Sequence, residues 1–182
     1  MVNKYKQKLT LLQQEILSLL FRKTGLSLNQ RQIAKHLGVS QTGITKALPL
    51  LEKLNYIKVK KDKETGRWSI ELNRNNKRVW QLKRVENLKN IYETGFFDFL
   101  EKEFPGTTII LFGSYSRGDD TINSDVDIAI IGAKRKEIDL SSYEKFFERK
   151  INLNFYSSFS EIHKNLKENL ANGILLAGGF EL

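Results

Sequence analysis

The sequence has no cysteine, one methionine, two prolines and two histidines among its 182 residues. Without cysteine there are neither disulfides nor thiolate metal sites, and His36 and His163 lie far apart in sequence, which argues against zinc chemistry. Long apolar runs are also missing. None approaches the roughly 18 residues that a membrane-crossing helix needs. The opening MVNKYKQK lacks the apolar stretch of a signal peptide. These absences predict a cytoplasmic protein with no membrane partner.

What is abundant is positive charge, and it is uneven. Residues 1 to 90 hold 20 Lys/Arg against 6 Asp/Glu, a net of +14, while residues 91 to 182 hold 10 against 15, a net of −5. A strongly basic half attracts polyanions, because each phosphate it neutralises releases condensed counterions. An acidic half more naturally gathers cations.

The basic half reads as three helices and a hairpin. Leu9, Leu12, Ile16, Leu19 and Leu20 recur at helical spacing, so residues 8–21 predict an amphipathic helix ending near Gly25. Asn29 is placed to cap a second helix with Ile33, Ala34 and Leu37 inward, and Gly38 supplies a left-handed stop. Ser40 caps a third helix carrying Ile44, Leu48, Leu51 and Leu54 on one stripe, with Pro49 predicting a bend and not a break. The following YIKVKKDKETGRWSIEL alternates as two strands about a Gly-containing turn. Together these predict a winged helix-turn-helix that binds double-stranded DNA.

The third helix of such a unit usually enters the major groove, and its wing contacts the backbone or minor groove. The candidates for DNA contact are Ser40, Gln41, Thr42, Thr45 and Lys46 on the helix, and Lys58, Lys60, Lys61, Lys63 and Arg67 on the wing. Trp68 and Trp80 read as packing residues. After Asn73 a helical period continues through Val79, Leu82, Val85, Leu88, Tyr92, Phe96 and Phe99, with an interruption expected at Gly95. The boundaries drawn from this reading are 1–73 for the winged helix, 74–104 for a connecting helix packing on the second domain, and 105–182 for that domain.

In the acidic half, LFGSYSRGDDTINSDVDIAI carries the chemistry. A buried strand runs into Gly113 and Ser114, a polar turn follows, and a second strand opens with Asp125 and Asp127. Residues two apart on a strand share a face, so the two carboxylates stand side by side while Val126, Ile128 and Ile130 face the core. Adjacent carboxylates repel unless a cation lies between them, and magnesium, which takes oxygen ligands and phosphates, suits them. Two such ions can serve an in-line displacement at phosphorus. Gly113 lets backbone approach a triphosphate, Ser114 adds a hydroxyl, and Arg117 can pair with phosphate. Asp119 and Asp120 read as solvated turn residues. Helices over LSSYEKFFERK and FSEIHKNLKENLANG, a strand at INLNFYS and an apolar tail complete the half.

Gly-Ser, about ten residues, then Asp-x-Asp, flanked here by Arg117, Gly118 and Ser124, resembles the signature of the nucleotidyltransferase superfamily of the DNA polymerase β type. The resemblance covers roughly residues 90 to 182 and is closest to the minimal nucleotidyltransferases of bacteria and archaea. Joined to the N-terminal winged helix-turn-helix and the long connecting helix read above, it implies an α+β chain whose C-terminal part is a mixed sheet with flanking helices. It further implies Asp125 and Asp127 as catalytic metal ligands, Gly113, Ser114 and Arg117 as nucleotide-binding residues, and magnesium with a nucleoside triphosphate, ATP first.

Active members bring a third carboxylate from a later strand. Here that position falls on Asn152, with Asn154 the alternative on the same face. An amide carries no charge and cannot act as a base. Two functions therefore stand open. One is a DNA-binding protein that transfers a nucleotidyl group, AMP from ATP, to a HEPN-like protein partner in an antitoxin-like role. The other is a transcription regulator whose impaired transferase domain is a nucleotide sensor or partner-binding surface. A nucleic-acid-modifying enzyme is a third reading, and a homodimer is compatible with all three.

Overall fold

The computed structural model describes residues 8–61, 66 and 68–179. The chain divides into two compact units, Met1–Val79 and Trp80–Leu182.

The first unit contains α1 (Leu11–Arg22), α2 (Gln30–Leu37), α3 (Gln41–Lys53), β1 (Ile57–Lys61) and β2 (Trp68–Leu72). Each helix begins where a side chain accepts the first free amides. Thr10 and Asn29 form capping boxes with Gln13 and Gln32, and Ser40 accepts from the amide of Gly43. Gly38 ends α2 in the left-handed conformation, and α3 runs unbroken through Pro49. Ile16, Leu20, Ile33, Ile44, Leu48 and Leu51 are buried, and the core closes on Ile57, Ile70 and Leu72 of the hairpin. Gln13 is buried with them because its amide donates to the carbonyl of Ala47 at 3.2 Å, tying α1 to α3. β1 and β2 pair antiparallel from Ile57 opposite Leu72 to Lys61 opposite Trp68, and Leu28 forms a bridge with Ile70. Three helices followed by a hairpin wing is the winged helix-turn-helix that the periodicity predicts.

The second element series begins with α4 (Lys77–Glu93) and α5 (Phe96–Glu103). β3 (Thr108–Phe112), α6 (Gly113–Arg117), β4 (Val126–Ile131), α7 (Ser141–Phe147), β5 (Ile151–Tyr156), α8 (Lys164–Ala171) and β6 (Ile174–Ala177) follow. The sheet order is β5-β4-β3-β6. Only β4 and β5 run parallel. The two central strands are buried on both faces, which explains the unbroken apolar runs TIILF and IAII. One face, with Ile109, Leu111, Val126, Ile128 and Ile130, packs with Phe96, Leu100 and Phe147. The opposite face, with Ile110, Phe112, Ala129 and Ile131, packs with Ile162 and Leu170.

Two expectations need correction. The apolar tail is not a tail, because Ile174–Ala177 pairs antiparallel with β3 as an edge strand of the sheet. α4 does not bury the stripe its apolar residues suggest: Val85 is 66% exposed and Tyr92 45%, while Lys83 and Asn87 are buried in line with Ile91. Polar partners in the second unit set the inward face.

Candidate functional site

Strand β3 delivers the chain to Gly113, whose φ of 72° an L side chain rarely adopts. A Cβ there would lie 2.5 Å from Oδ2 of Asp127, so the bare glycine lets that carboxylate rest against the turn. The hydroxyl of Ser116 donates back to the carbonyl of Gly113 at 2.9 Å and fixes the first turn of α6. Ser114 is half-buried at the start of α6, and the exposed Arg117 at its end pairs with Asp119 at 3.3 Å. The helix then stops at Gly118, where a Cβ would meet the backbone of Trp80 at 2.5 Å.

Asp125 lies just before β4 and Asp127 within it, both half-buried. Asp127 stands opposite Phe112 on β3 and opposite Asn152 on β5. The amide of Asn152 donates to Oδ2 of Asp125 and to Oδ1 of Asp127, each at 3.1 Å. Two carboxylate oxygens thus converge on one electropositive group. Asn154, two residues on, turns its amide to backbone carbonyls, those of Ile128 and Asn152, each at 3.4 Å. Among the described residues no three His, Cys, Asp or Glu side chains come together as a metal-holding group. A pair of half-buried carboxylates converging on one point does fit a hard divalent cation, which would complete its shell with water and phosphate oxygens.

The turn between α6 and β4 contradicts the solvated reading of Asp120, which is fully buried. Its carboxylate accepts from Arg149 at 2.9 Å and from Asn87 at 2.8 Å, and it forms an ion pair with Lys83. Lys83 also donates to the Asp120 carbonyl at 3.0 Å, and Asn87 to the carbonyl of Tyr115 at 2.9 Å. Burial lowers the Lys83 ammonium to about 8 even against the pull of Asp120. Burial, with Asp120 adding to it, pushes the Tyr115 phenol up. This network fastens the turn before Asp125 to α4 and to the residue three before Asn152. Sequence reasoning missed Lys83, Asn87 and Arg149 as parts of the site's scaffold.

In the first unit Ser40, Gln41, Thr42, Thr45 and Lys46 lie along the start of α3, where Gln41, Thr42, Thr45 and Lys46 open the helix that Ser40 caps. Lys60 and Lys61 are exposed on the wing, and Lys58 is half-buried. Lys63 and Arg67 lie outside the described residues. Trp68 is not the packing residue its type suggests, being 42% exposed with the Lys61 ammonium 5.7 Å from its ring centre.

Among solved structures the chain is similar to the adhesin competence repressor AdcR of Streptococcus pyogenes, at 26% identity over 54% of this chain and 70% of that one, TM-score 0.42. It is also similar to MepR of S. aureus in a DNA complex, at 22% identity over 52% and 77%, TM-score 0.39. No curated protein matches the chain. Residues 94–173 match the family model described as a nucleotidyltransferase domain. That span takes in Gly113, Ser114, Asp125, Asp127 and Asn152, so the chain carries a nucleotidyltransferase domain behind an N-terminal winged helix-turn-helix.

Proposed function

We propose that this is a DNA-binding regulator whose nucleotidyltransferase domain binds a nucleoside triphosphate with a divalent cation as a signal, with turnover impaired. The observation that carries the reading is the placement of Asn152. It occupies the strand position beside Asp127 where the resemblance calls for a carboxylate, and its amide donates to both aspartates. An amide at that place can neither add a third negative charge nor take a proton from an attacking hydroxyl. Binding asks less: Asp125 and Asp127 would hold the cation, and the Gly113–Ser114 turn would lie against the phosphates.

Asp125 and Asp127 would hold a magnesium ion, which would supply neutralisation of the phosphate charge. Asp127 is held for this by Gly113 on one side and Asn152 on the other. The residues at the start of α3 and the wing lysines would hold DNA, chiefly by contacts to phosphates.

The test is to incubate the protein with each labelled nucleoside triphosphate and magnesium, and to follow both thermal stabilisation and transferred label. Stabilisation that Asp125→Ala abolishes, without label transfer, supports the regulator. The Gly113–Ser114 turn and the Asp125–Asp127 pair, which the resemblance assigns to active members too, support a second reading, transfer of a nucleotidyl group, AMP from ATP, to a protein acceptor of the HEPN type in an antitoxin-like pair. Label appearing on such a partner, and absent with Asp125→Ala, would replace the first reading with the second.

A further inference from the structure

Trp68 is a large aromatic left partly in water. It opens β2, it is 42% exposed, and the residue across the ladder from it, Lys61, places an ammonium over its ring. Large aromatics left in water at such a position forgo burial that a smaller residue would not miss.

The surroundings give the indole a role. Asn29, Gln30, Arg31, Gln41, Gly66 and Trp68 line one concavity of about 430 Å³ within the first unit. Its placement follows from the backbone: the Leu28 bridge to Ile70, with paired hydrogen bonds of 2.9 and 2.7 Å, draws the start of α2 against β2. Ser27 and Ser69 add a hydroxyl contact beside it. Asn29 accepts from the amide of Gln32 and Gln32 from that of Asn29, which fixes the start of α2 and with it the placement of Gln30 and Arg31 between them.

That chemistry is one aromatic face, one guanidinium and several amide groups, with no acidic side chain among the described residues that line it. Exposed Lys60 and Lys61 stand on the adjoining strand. A protein partner would need an apolar counterpart larger than one indole, and an acidic small molecule would gain little from the aromatic face. A duplex sugar–phosphate edge meets every group: the deoxyribose presents C–H faces to the indole, and the flanking phosphates meet Arg31 and Lys61. Gln41 belongs both to this hollow and to the start of α3, so the two surfaces are continuous.

We propose that the hollow between α2 and the wing receives the sugar–phosphate edge of double-stranded DNA, with Trp68 packed on deoxyribose and Arg31 on a phosphate. This rests on the reading of the winged helix as a DNA-binding unit.

The test uses the full chain carrying Trp80→Phe, which leaves Trp68 as the only tryptophan. A labelled mixed-sequence duplex at low salt reports binding by anisotropy, and Trp68 emission reports the hollow independently. The expected result is a change in Trp68 emission that saturates with the anisotropy. In the otherwise native chain, Trp68→Ala should weaken duplex binding several-fold, through the lost apolar contact with the sugar, without altering the salt dependence. Trp68→Phe should retain most of the affinity. Arg31→Ala should weaken binding and reduce the salt slope by about one. Duplex binding with unchanged Trp68 emission and a Trp68→Ala variant of native affinity would overturn the inference while leaving the DNA-binding reading intact. A single-stranded oligothymidylate that binds and shifts Trp68 as strongly as the duplex would overturn the duplex assignment. No anisotropy change with the native chain would remove the DNA-binding reading and this inference with it.

Discussion

Asp127 and Asn152 face each other across the parallel β4–β5 ladder, and the amide of one donates to the carboxylate of the other at 3.1 Å. Asn152→Asp would set a third carboxylate among two that already converge. Without cation the variant should melt earlier than the native protein, through like-charge repulsion, and magnesium should recover it. If the amide is what limits turnover, label transfer from nucleoside triphosphate should appear or rise about a hundredfold, the low end for a positioned base. Calorimetric magnesium titration and a labelled transfer assay check the two halves. A variant with unchanged metal affinity would refute the placement of Asn152 at the cation.

Gly113→Ala forces a side chain into a left-handed position, at about 1–2 kcal/mol, and drives its Cβ against Asp127. Denaturant unfolding should register that destabilisation, and nucleotide-dependent thermal stabilisation should disappear. Ser114→Ala, which leaves the backbone undisturbed, should keep the fold.

Asp120→Ala leaves Lys83 and Arg149 buried beside each other without their anion. Breaking one member out of such a cluster costs about 3–5 kcal/mol. The second unit of the variant should therefore unfold well below the native midpoint, or fail to fold. Lys83→Met, which removes a charge whose burial is itself costly, should be far milder. Equal destabilisation in the two variants would contradict the assigned roles.

The lowered Lys83 ammonium predicts a pH dependence of defined sign. It titrates at about 8 in the folded chain against an ordinary value of 10.5, so between these the unfolded chain holds a proton that the folded chain has released. Stability contributed by this group must then rise with pH across that window, because the unfolded state binds more protons. Comparing denaturation midpoints of native protein and Lys83→Met from pH 8 upward isolates the effect. The native curve should rise relative to the variant's as pH passes through the window.

Neutralising Lys58, Lys60 and Lys61 together should weaken DNA binding uniformly across sequences. The slope of log affinity against log salt should fall by roughly 0.9 for each phosphate that is no longer neutralised. An unchanged slope would take the wing out of the interface. Thr42→Ala, by contrast, should change sequence preference and leave the slope as it is.

Much of this molecule is legible without coordinates because its signals are local. Asn29 and Ser40 cap the helices they precede, and Gly38 ends α2 in the left-handed turn its position suggests. The spacing of Asp125 and Asp127 brings the two carboxylates together at one amide, although β4 itself begins one residue after Asp125. The errors arise where long-range partners override local pattern. Val85 and Tyr92 hold the helical period, yet α4 turns Lys83 and Asn87 inward because Asp120 and the carbonyl of Tyr115 offer them bonds. Asp120 has the composition of a turn residue, and it stays buried because Lys83, Asn87 and Arg149 reach its carboxylate from other segments. Lys83, Asn87 and Ile91 form a stripe at four-residue spacing in the sequence, but its polarity disguises it. Trp68 misleads in the other direction, since indole size predicts burial and the residue is 42% exposed.

The family match begins at residue 94, whereas two of the side chains that bind the Asp120 carboxylate, Lys83 and Asn87, lie on α4 ahead of it. The segment that identifies the family and the segment that can fold by itself therefore do not coincide in this chain. A fragment cut at the family boundary would uncover a carboxylate and a guanidinium that the intact chain keeps from water, and would remove the backbone of Trp80 on which Gly118 rests. α4 is in that sense part of the transferase domain's interior, and any transplant of the domain into another protein has to carry that helix with it.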